Sequence, residues 1–418
     1  MNQKKFFLLS FMICLCSQVF GQLTIEECYT MGQRNYPLIN QYVLIEKSRE
    51  YSISNVAKGY LPQLGVSGQI TYQSEVTEFP ISLPNVTIPS LSKDQYKISA
   101  EILQPITGLI TVKNNIELVK TNTAMEKQKI DVELYKLKER INRLFFGIIL
   151  IDAQIKQTEL LKTDIQKGIE KTNSAIINGI TLKSSADILK VELLNTNQKI
   201  IELKAMRKGY ADMLSLLINY KISETTQFER PKVLALSSTI NRPELNLFET
   251  QKNALNIQER LLNNRNIPHV NLFLQGGYGK PGLNFLSNDF SFYYIGGIRL
   301  SWNISGLYTY RKQKKDLILK KESIDVQQDL FLFNTNLALT QKNAEIIKLK
   351  RLIESDYEII KLRESVKNRT KNQLENGTAT ASDYILQINA EDRARNSLLL
   401  HEIQLLMTQY NYKITSGN

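Results

Sequence analysis

The sequence has little of the chemistry that enzymes and metal sites use. Among 418 residues there are three cysteines and two histidines. Cys14 and Cys16 lie in an N-terminal segment that we expect to be removed, and the remaining Cys28 is predicted to be buried. One cysteine cannot build a disulfide framework within the chain or a cysteine-based metal site. His269 and His401 lack the spacing of paired ligands. We therefore expect no catalytic residue, cofactor or metal, and predict that the protein is not an enzyme.

Beyond its N-terminus the sequence also lacks a long apolar run. The longest, Leu144–Ile151, is bracketed by Arg143 and Asp152. It falls far short of the about 20 apolar residues that a membrane-spanning helix needs. Residues 1–21 have the pattern of a secretory signal, with two lysines before a short apolar segment and a small residue at the expected cleavage point. We therefore predict an exported protein without a transmembrane helix.

Charge of neither sign is concentrated in one place. The whole chain has a formal charge of +12, of which the signal segment contributes two lysines. A basic excess can indicate a nucleic-acid or anionic-lipid partner. Here the basic residues are scattered through stretches of helical periodicity, which is typical of solvated helix faces. We expect no nucleic-acid partner.

One stretch, 290–304, alternates between apolar and polar residues. Its even positions form an aromatic-rich set: Phe290, Phe292, Tyr294, Gly296, Ile298, Leu300, Trp302 and Ile304. A period of two predicts a β-strand with one apolar face, and the length suits a strand that crosses a membrane. A strand of a soluble sandwich fits this stretch equally well when it is taken alone.

The same plan occurs twice in the chain. Ile106-Thr107-Gly108-Leu109 matches Ile304-Ser305-Gly306-Leu307, and Asn178-Gly179 matches Asn376-Gly377 at the same offset. Five upstream pairs share a slightly larger offset: Pro37 with Pro243, Asn40 with Asn246, Pro62 with Pro268, Gln69 with Gln275 and Tyr72 with Tyr278. Such self-similarity indicates a duplicated structural unit. We predict a signal peptide at 1–21, a first repeat at 22–220, a joint at 221–241 and a second repeat at 242–418.

Each copy continues from its strands into very long helices. In the first copy, apolar residues recur in alternating steps of four and three: Ile130, Leu134, Leu137, Ile141, Leu144, Ile148, Ile151 and Ile155. This spacing is a heptad seam. It predicts one helix over 108–178, interrupted or bent near Gly147 and Gly168, and a returning helix over 184–220. About sixty helical residues would reach roughly 90 Å, well beyond the size of a compact domain.

Four strands per chain cannot close a barrel by themselves. Open strand edges cannot face lipid, because each unpaired backbone group there costs several kcal/mol. If the strands span a membrane, two chains would supply eight strands and three would supply twelve. We therefore expect an oligomer in an outer membrane, with helices in the periplasm.

The whole arrangement resembles the TolC-type outer-membrane efflux proteins over about residues 24 to 415. The resemblance rests on the duplicated plan, on the junctions at Gly108 and Gly306, and on two turn sequences, NGITLKSSADIL at 178–189 and NGTATASDYIL at 376–386. It implies a mainly α fold with a membrane β-barrel. Coiled-coil helical hairpins would form a periplasmic tunnel, and a homotrimer would share a twelve-stranded barrel.

The resemblance also implies a function and partners. The protein would be the outer-membrane exit duct of a tripartite efflux pump. It would contact outer-membrane lipid and dock a periplasmic adaptor protein and an inner-membrane pump. The outer-membrane component of type I protein secretion is an alternative. An exported coiled-coil or adhesin protein is an alternative of another class, although it does not account for strand pairs at matched repeat positions.

Candidate functional residues lie at the two turns. Asp187 and Asp383 follow the turns, where carboxylates at a tunnel mouth would favour cations and could gate it. The alternative is an acidic residue in the first turn of a helix, which the helix dipole favours. The resemblance implies that the adaptor contacts the turn residues Gly179, Thr181, Gly377, Thr378 and Ser382. Gly179 and Gly377 are predicted to have left-handed backbone conformations.

Other candidates lie on the strands. Glu101 and Arg299 fall at the same repeat position on the polar strand face, where they would line a barrel lumen. The predicted membrane-belt aromatics are Tyr72, Tyr278, Phe290, Phe292, Tyr294 and Trp302.

Overall fold

The computed structural model describes residues 22–77 and 91–418, so the predicted signal peptide, 1–21, lies outside the described residues. In chain order the elements are α1 (Ile25–Asn35), α2 (Gln41–Ala57), β1 (Gln63–Tyr72), β2 (Asp94–Pro105), α3 (Gly108–Ile177), α4 (Lys183–Ile218), α5 (Pro243–Arg265), β3 (His269–Lys280), β4 (Ser291–Ser301), α6 (Leu307–Glu375) and α7 (Ala381–Ser416). Helices, a pair of strands and a long helical pair thus follow one another in each half of the chain.

The first helical region begins and ends for identifiable reasons. The Thr24 hydroxyl accepts a hydrogen bond from the Glu27 amide at 3.2 Å, and the Thr24 amide donates to the Glu27 carboxylate at 2.9 Å. This reciprocal capping box starts α1. Tyr36 has extended backbone, as expected for a residue before a proline, so α1 ends at Asn35. A 3₁₀ turn at Pro37–Asn40 separates it from α2.

The strands form one antiparallel sheet in the order β1-β2-β3-β4. The central pairing joins the two halves of the chain, with Glu101 of β2 opposite Gln275 of β3. β3 and β4 pair from His269 opposite Ser301 to Gly279 opposite Ser291. Alternation along each strand gives the sheet one mainly apolar face and one mainly polar face.

The chain forms two compact units. The first contains the described residues up to Asn40 together with 130–245 and 330–418. The second contains 41–129 and 246–329, and so holds the sheet, α2 and most of α5. Each unit therefore takes segments from both predicted repeats.

The core of the first unit is built on the predicted seam of α3. Seven of the eight seam residues, from Ile130 to Ile151, are buried, and Ile155 is half-buried. Four of the seam residues, from Leu137 to Ile148, pack with Ile25 and Cys28 of α1, Leu214 of α4 and other apolar residues of α4 and α7. The burial predicted for Cys28 is confirmed. In the described part of the chain, no helix combines the length and the apolar content needed to cross a membrane.

α3 is continuous, which corrects the expectation of an interruption near its glycines. Both glycines lie where a neighbouring side chain approaches the helix. A Cβ at Gly147 would lie 2.5 Å from the Tyr210 ring, and one at Gly168 would lie 3.3 Å from the Tyr384 ring. The glycines therefore admit aromatic rings from neighbouring helices rather than break α3.

Candidate functional site

The polar face of the sheet carries a cross-strand hydrogen-bonded group. Ser67 of β1 lies opposite Ser99 of β2, and their hydroxyl oxygens are 3.0 Å apart. The Gln275 amide of β3 donates to the Ser99 hydroxyl at 3.0 Å. Three strands are therefore linked by side chains as well as by backbone.

The predicted lumen residues Glu101 and Arg299 meet on this face. The Arg299 guanidinium donates to Glu101 Oε1 at 2.7 Å, and its Cζ lies 4.4 Å from the centre of the Phe273 ring. Both side chains are partly exposed. The ion pair crosses β3, because Glu101 belongs to β2 and Arg299 to β4.

Two aromatic rings of the same face lie over glycines of neighbouring strands. A Cβ at Gly277 would come within 2.5 Å of the Tyr293 ring, and one at Gly297 would lie 3.3 Å from the Phe273 ring. Lys97 approaches the Tyr293 ring from β2, at 5.6 Å from its centre. This pairing of rings with glycines was not predictable from the sequence, because it depends on the register of the strands. Phe273 and Tyr293, together with Leu103 and Ile295, are the large apolar side chains of this mainly polar face among the paired strand residues.

The opposite face of the sheet is apolar and exposed. Phe292 and Tyr294 of β4 are 87% and 80% exposed, and Leu64, Val66 and Ile70 of β1 are each 78% exposed. Exposed apolar patches of this kind mark protein or membrane contacts rather than free surface.

The predicted membrane-belt aromatics collect mainly at one end of the sheet. Tyr278 stacks on Phe290 with ring centres 5.5 Å apart and approaches Phe292 at 4.6 Å. The ring centres of Tyr96, which was not among the predicted aromatics, and Phe290 are 6.1 Å apart. Tyr72 is opposite Asp94 at this same end.

Two of the six aromatics lie outside the strand in which they were expected. Phe290 precedes β4 and Trp302 follows it, so the strand is shorter than the alternation predicted. The Trp302 indole donates to the Asn266 carbonyl at 3.0 Å, which holds it beside the end of α5. Tyr294 stands within β4, between these two positions.

The two helix turns have the same backbone conformation. Gly179 and Gly377 have φ values of 71° and 70°, as predicted. In the first turn the Ile180 amide donates to the Ala175 carbonyl at 2.9 Å and the Gly179 amide to the Ile176 carbonyl at 3.0 Å. The same pair of bonds closes the second turn. Both are Schellman motifs, which require a residue that tolerates positive φ.

The other predicted turn residues have local hydrogen bonds or are exposed. The Thr181 and Ser185 hydroxyl oxygens are 3.2 Å apart, and the Thr378 hydroxyl donates to the Gln373 carbonyl at 3.1 Å. Ser382 is exposed in the first turn of α7. The two turns touch each other, because a Cβ at Gly377 would lie 3.2 Å from Ile180 Cγ2.

Asp383 caps the helix that follows its turn. Its amide donates to the Thr380 hydroxyl at 3.1 Å, and its carboxylate accepts from the Thr380 hydroxyl at 2.6 Å and from the Thr380 amide at 3.0 Å. These hydrogen bonds lower the pKa of Asp383. Asp383 thus has the geometry of the alternative explanation, an acidic residue in the first turn of a helix.

Asp187 differs from Asp383, which corrects the view that both lie in the first turn of a helix. α4 begins at Lys183 after Leu182, which has no capping side chain, and no acidic residue lies in its first turn. Asp187 is the fifth residue of α4, whereas Asp383 is the third residue of α7. Asp187 is exposed and pairs with Lys190 at 3.2 Å.

A cluster of charged side chains around the buried Glu391 joins α3, α6 and α7. Lys367 Nζ lies 2.5 Å from Glu391 Oε2 and 3.4 Å from Asp164 Oδ2, and Arg395 lies 2.6 Å from Glu391 Oε1. Burial by itself would lower the pKa of Lys367, but hydrogen bonds and charges of Glu391 and Asp164 outweigh it and raise that pKa. The sequence did not reveal this cluster, because its members are distant along the chain. Within residues 22–77 and 91–418 no group of His, Cys, Asp and Glu has the geometry of a metal site.

Comparison with known proteins shows which fold this is. No protein-family model matches the sequence, and no curated protein matches it significantly. The chain is similar to the outer membrane protein VceC from Vibrio cholerae, with 12% identity and a TM-score of 0.65 over 94% of this chain and 96% of that one. It is similar to the Campylobacter jejuni CmeC outer membrane channel, with 11% identity and a TM-score of 0.65 over 95% and 86%. It is also similar to the open state of the Neisseria gonorrhoeae MtrE outer membrane channel, with 14% identity and a TM-score of 0.63 over 94% and 88%. The chain therefore has the fold of these outer-membrane proteins, and the fold class inferred from the sequence is confirmed.

Proposed function

We propose that this chain, which has the fold of outer-membrane channels, is itself an outer-membrane exit duct of a tripartite efflux pump. Three copies share one barrel, and their long helices form the wall of a periplasmic tunnel. Small molecules delivered by an inner-membrane pump and a periplasmic adaptor leave the cell passively through it. The main support for this proposal is the four-stranded sheet, whose edge strands lack a second partner among the described residues and whose apolar face is exposed.

The sheet supports a membrane location because its unpaired edges and its exposed apolar face would be unfavourable in water. In the described part of the chain β1 and β4 each pair with one strand only. Unpaired edges promote association with other strands. A barrel shared among copies would pair both edges, and lipid would cover the face that carries Phe292, Tyr294 and Leu64.

The helices support an oligomer for a similar reason. On α6, Val326, Leu330, Phe333 and Leu337 are separated by steps of four, three and four, and all are more than half exposed. Val191, Leu194 and Ile201 form a second exposed apolar row on α4. Heptad seams are stable when they pack against other helices. We propose that neighbouring copies cover these two rows.

The polar sheet face and the turns receive roles within this proposal. Glu101 and Arg299 line the lumen, and the turns at Gly179 and Gly377 form the periplasmic aperture and meet the adaptor. Asp187 is the better candidate for an electrostatic role at the aperture, because its carboxylate is held by one surface ion pair with Lys190, whereas the Asp383 carboxylate, also exposed, is fixed by two hydrogen bonds from Thr380.

The first test is gel migration of detergent-extracted outer membranes with and without heating, with the mass of the unheated species determined. We expect a heat-sensitive species of three chains. A monomer found only in the soluble periplasm would overturn the barrel and favour the exported coiled-coil alternative. Hydrolytic or transfer activity of the pure trimer would instead contradict the passive duct.

The second test is ion selectivity of the purified trimer in planar bilayers. Arg299→Gln removes a cation from the proposed lumen and should increase cation preference, whereas Glu101→Gln should decrease it. The two variants break the same ion pair, so a structural effect alone would shift both in one direction. Opposite shifts support the lumen assignment, and unchanged selectivity in both would remove it.

A further inference from the structure

A cavity of about 310 Å³ lies in the first unit between the ends of α3 and α6, beside the two turns. Its wall combines cations, hydroxyls and apolar groups: Lys171, Thr172, Ala175, Lys371, Leu374 and Tyr384. A volume near 300 Å³ is at the lower end of the range for small-molecule sites. Ile180 and Thr181 of the first turn also line the cavity, which is separate from the sheet surface and from the Lys367 cluster.

The two lysines of this cavity differ in their partners. Lys171 forms an ion pair with Glu375, which also lines the cavity. Lys371 is half-buried and has no carboxylate partner among the residues that the structure describes. A lysine charge without a carboxylate partner is compensated by water or by an anionic ligand. The cavity therefore has one free positive group.

Thr172 provides a second, independent indication of a ligand. It is 3% exposed, and its hydroxyl has no hydrogen-bond partner in the described structure. On the same helix, Thr163 and Ser174 donate to the carbonyls of Glu159 and Glu170, four residues earlier. Buried hydroxyl groups normally find a partner. The free hydroxyl of Thr172 thus departs from the local pattern at the wall of the cavity.

Tyr384 adds a donor that stays protonated. Burial raises its pKa to about 12, so it remains a neutral phenol over the physiological range. Ala175 and Leu374 supply an apolar wall. Hydrogen-bond donors and apolar side chains therefore line the same cavity.

We propose that this cavity binds a small solute that carries one anionic group on a short hydrocarbon body. Lys371 neutralises the anionic group, the Thr172 and Tyr384 hydroxyls donate to it, and Leu374 and Ala175 contact the hydrocarbon. Such a ligand would connect the ends of α3 and α6, which bear the two turns. The proposal concerns binding by the purified chain and does not depend on the channel function.

The test is calorimetric titration of the purified full chain with butyrate, using butanol and inorganic phosphate as comparison probes. We expect butyrate to bind more tightly than butanol, which lacks the charge, and than phosphate, which lacks the hydrocarbon. Lys371→Gln should weaken butyrate binding about tenfold or more, because it removes a charged donor. Thr172→Val should weaken it about threefold to tenfold, because it removes a neutral hydroxyl donor.

Matched controls make the result specific to the cavity. Lys361→Gln changes an exposed lysine of the same helix, and Thr163→Val changes a threonine of α3 whose hydroxyl is already bonded. Both should bind butyrate as the unmodified chain does. Equal affinity for butyrate and butanol, equal weakening by Lys361→Gln and Lys371→Gln, or no butyrate binding at all would overturn the proposal. None of these outcomes would affect the gel or conductance tests of the duct.

Discussion

At the scale of single residues, the two turn aspartates show that similar sequence positions can have different tasks. The Asp383 carboxylate is held by Thr380, whereas Asp187 contacts Lys190 on the exposed surface of α4. A capping box stabilises the start of a helix. An exposed ion pair contributes little to stability. The Asp383 carboxylate is therefore fixed by its helix cap, whereas Asp187 is held by a weak surface ion pair, and we propose the electrostatic role for Asp187.

We expect Thr380→Ala to destabilise the start of α7 by about 1 kcal/mol, the usual cost of losing an N-cap side chain. Asp187→Asn is the control and should leave thermal stability unchanged. Because the pKa of Asp383 is lowered in the folded protein, its stabilising contribution is present above the ordinary value of 3.8 and lost as pH falls through the lower folded value. Thermal melts of both variants at about pH 7 and about pH 3 check this. A Thr380→Ala deficit that persists undiminished at the acidic pH would argue against the carboxylate's part in the cap.

At the scale of helices and strands, glycine positions decide how closely elements approach. Gly147 allows the Tyr210 ring to reach α3, and Gly277 allows the Tyr293 ring to cover β3. Gly306 follows β4 where a Cβ would lie 2.6 Å from Asn266 Oδ1, at the end of α5. These glycines act through the absence of a side chain, and the interruption expected near Gly147 from its helix propensity is not found.

We expect Gly147→Ala to destabilise the protein by about 1–3 kcal/mol through overpacking against Tyr210, although alanine is the better helix former by about 1 kcal/mol. Gly209→Ala is the matched control, because Gly209 lies inside α4 with no atom within 4 Å of its added Cβ. It should stabilise by up to about 1 kcal/mol. Denaturant or thermal unfolding of both variants measures the difference. Stabilisation by both would mean that Tyr210 moves aside freely and that the contact does not restrict residue 147.

At the scale of the whole molecule, the described surface carries apolar side chains and unpaired strand edges that proteins normally cover. The chain exposes one face of its sheet, both sheet edges and apolar rows on α4 and α6 within the described residues. A soluble monomer would associate through such surfaces. In the proposed assembly, lipid on the apolar sheet face, strand pairing between copies at the sheet edges and further copies beside the helices would cover these surfaces.

The two faces of β4 offer a direct test of the proposed environment. Ile298 stands on the apolar face and Ile295 on the polar face, three residues apart in one strand. We expect Ile298→Lys to reduce the yield of outer-membrane trimer, because a lysine facing lipid near mid-membrane costs about 2–4 kcal/mol. Ile295→Lys should assemble with nearly normal yield, since the polar face would contact water. Equal yields of the two variants in membrane fractions would count against lipid on that face.

What the sequence determined by itself was periodic or local. The strand alternation, the α3 seam, the capping signal at Thr24 and the glycines of both turns all lie within short windows, so their outcomes were predictable in type and nearly in position. The duplication and the junction motifs further led to the fold class.

What only the tertiary structure decided depends on segments distant along the chain. The Glu101–Arg299 pair, the rings over glycines, the Lys367 cluster and the cavity at Thr172 required the strand register and the packing of α3 against α6 and α7. Small shifts in position matter there, as the different places of Asp187 and Asp383 in their helices show. A side chain's neighbours are set by its phase on a helix or strand rather than by its place in a motif.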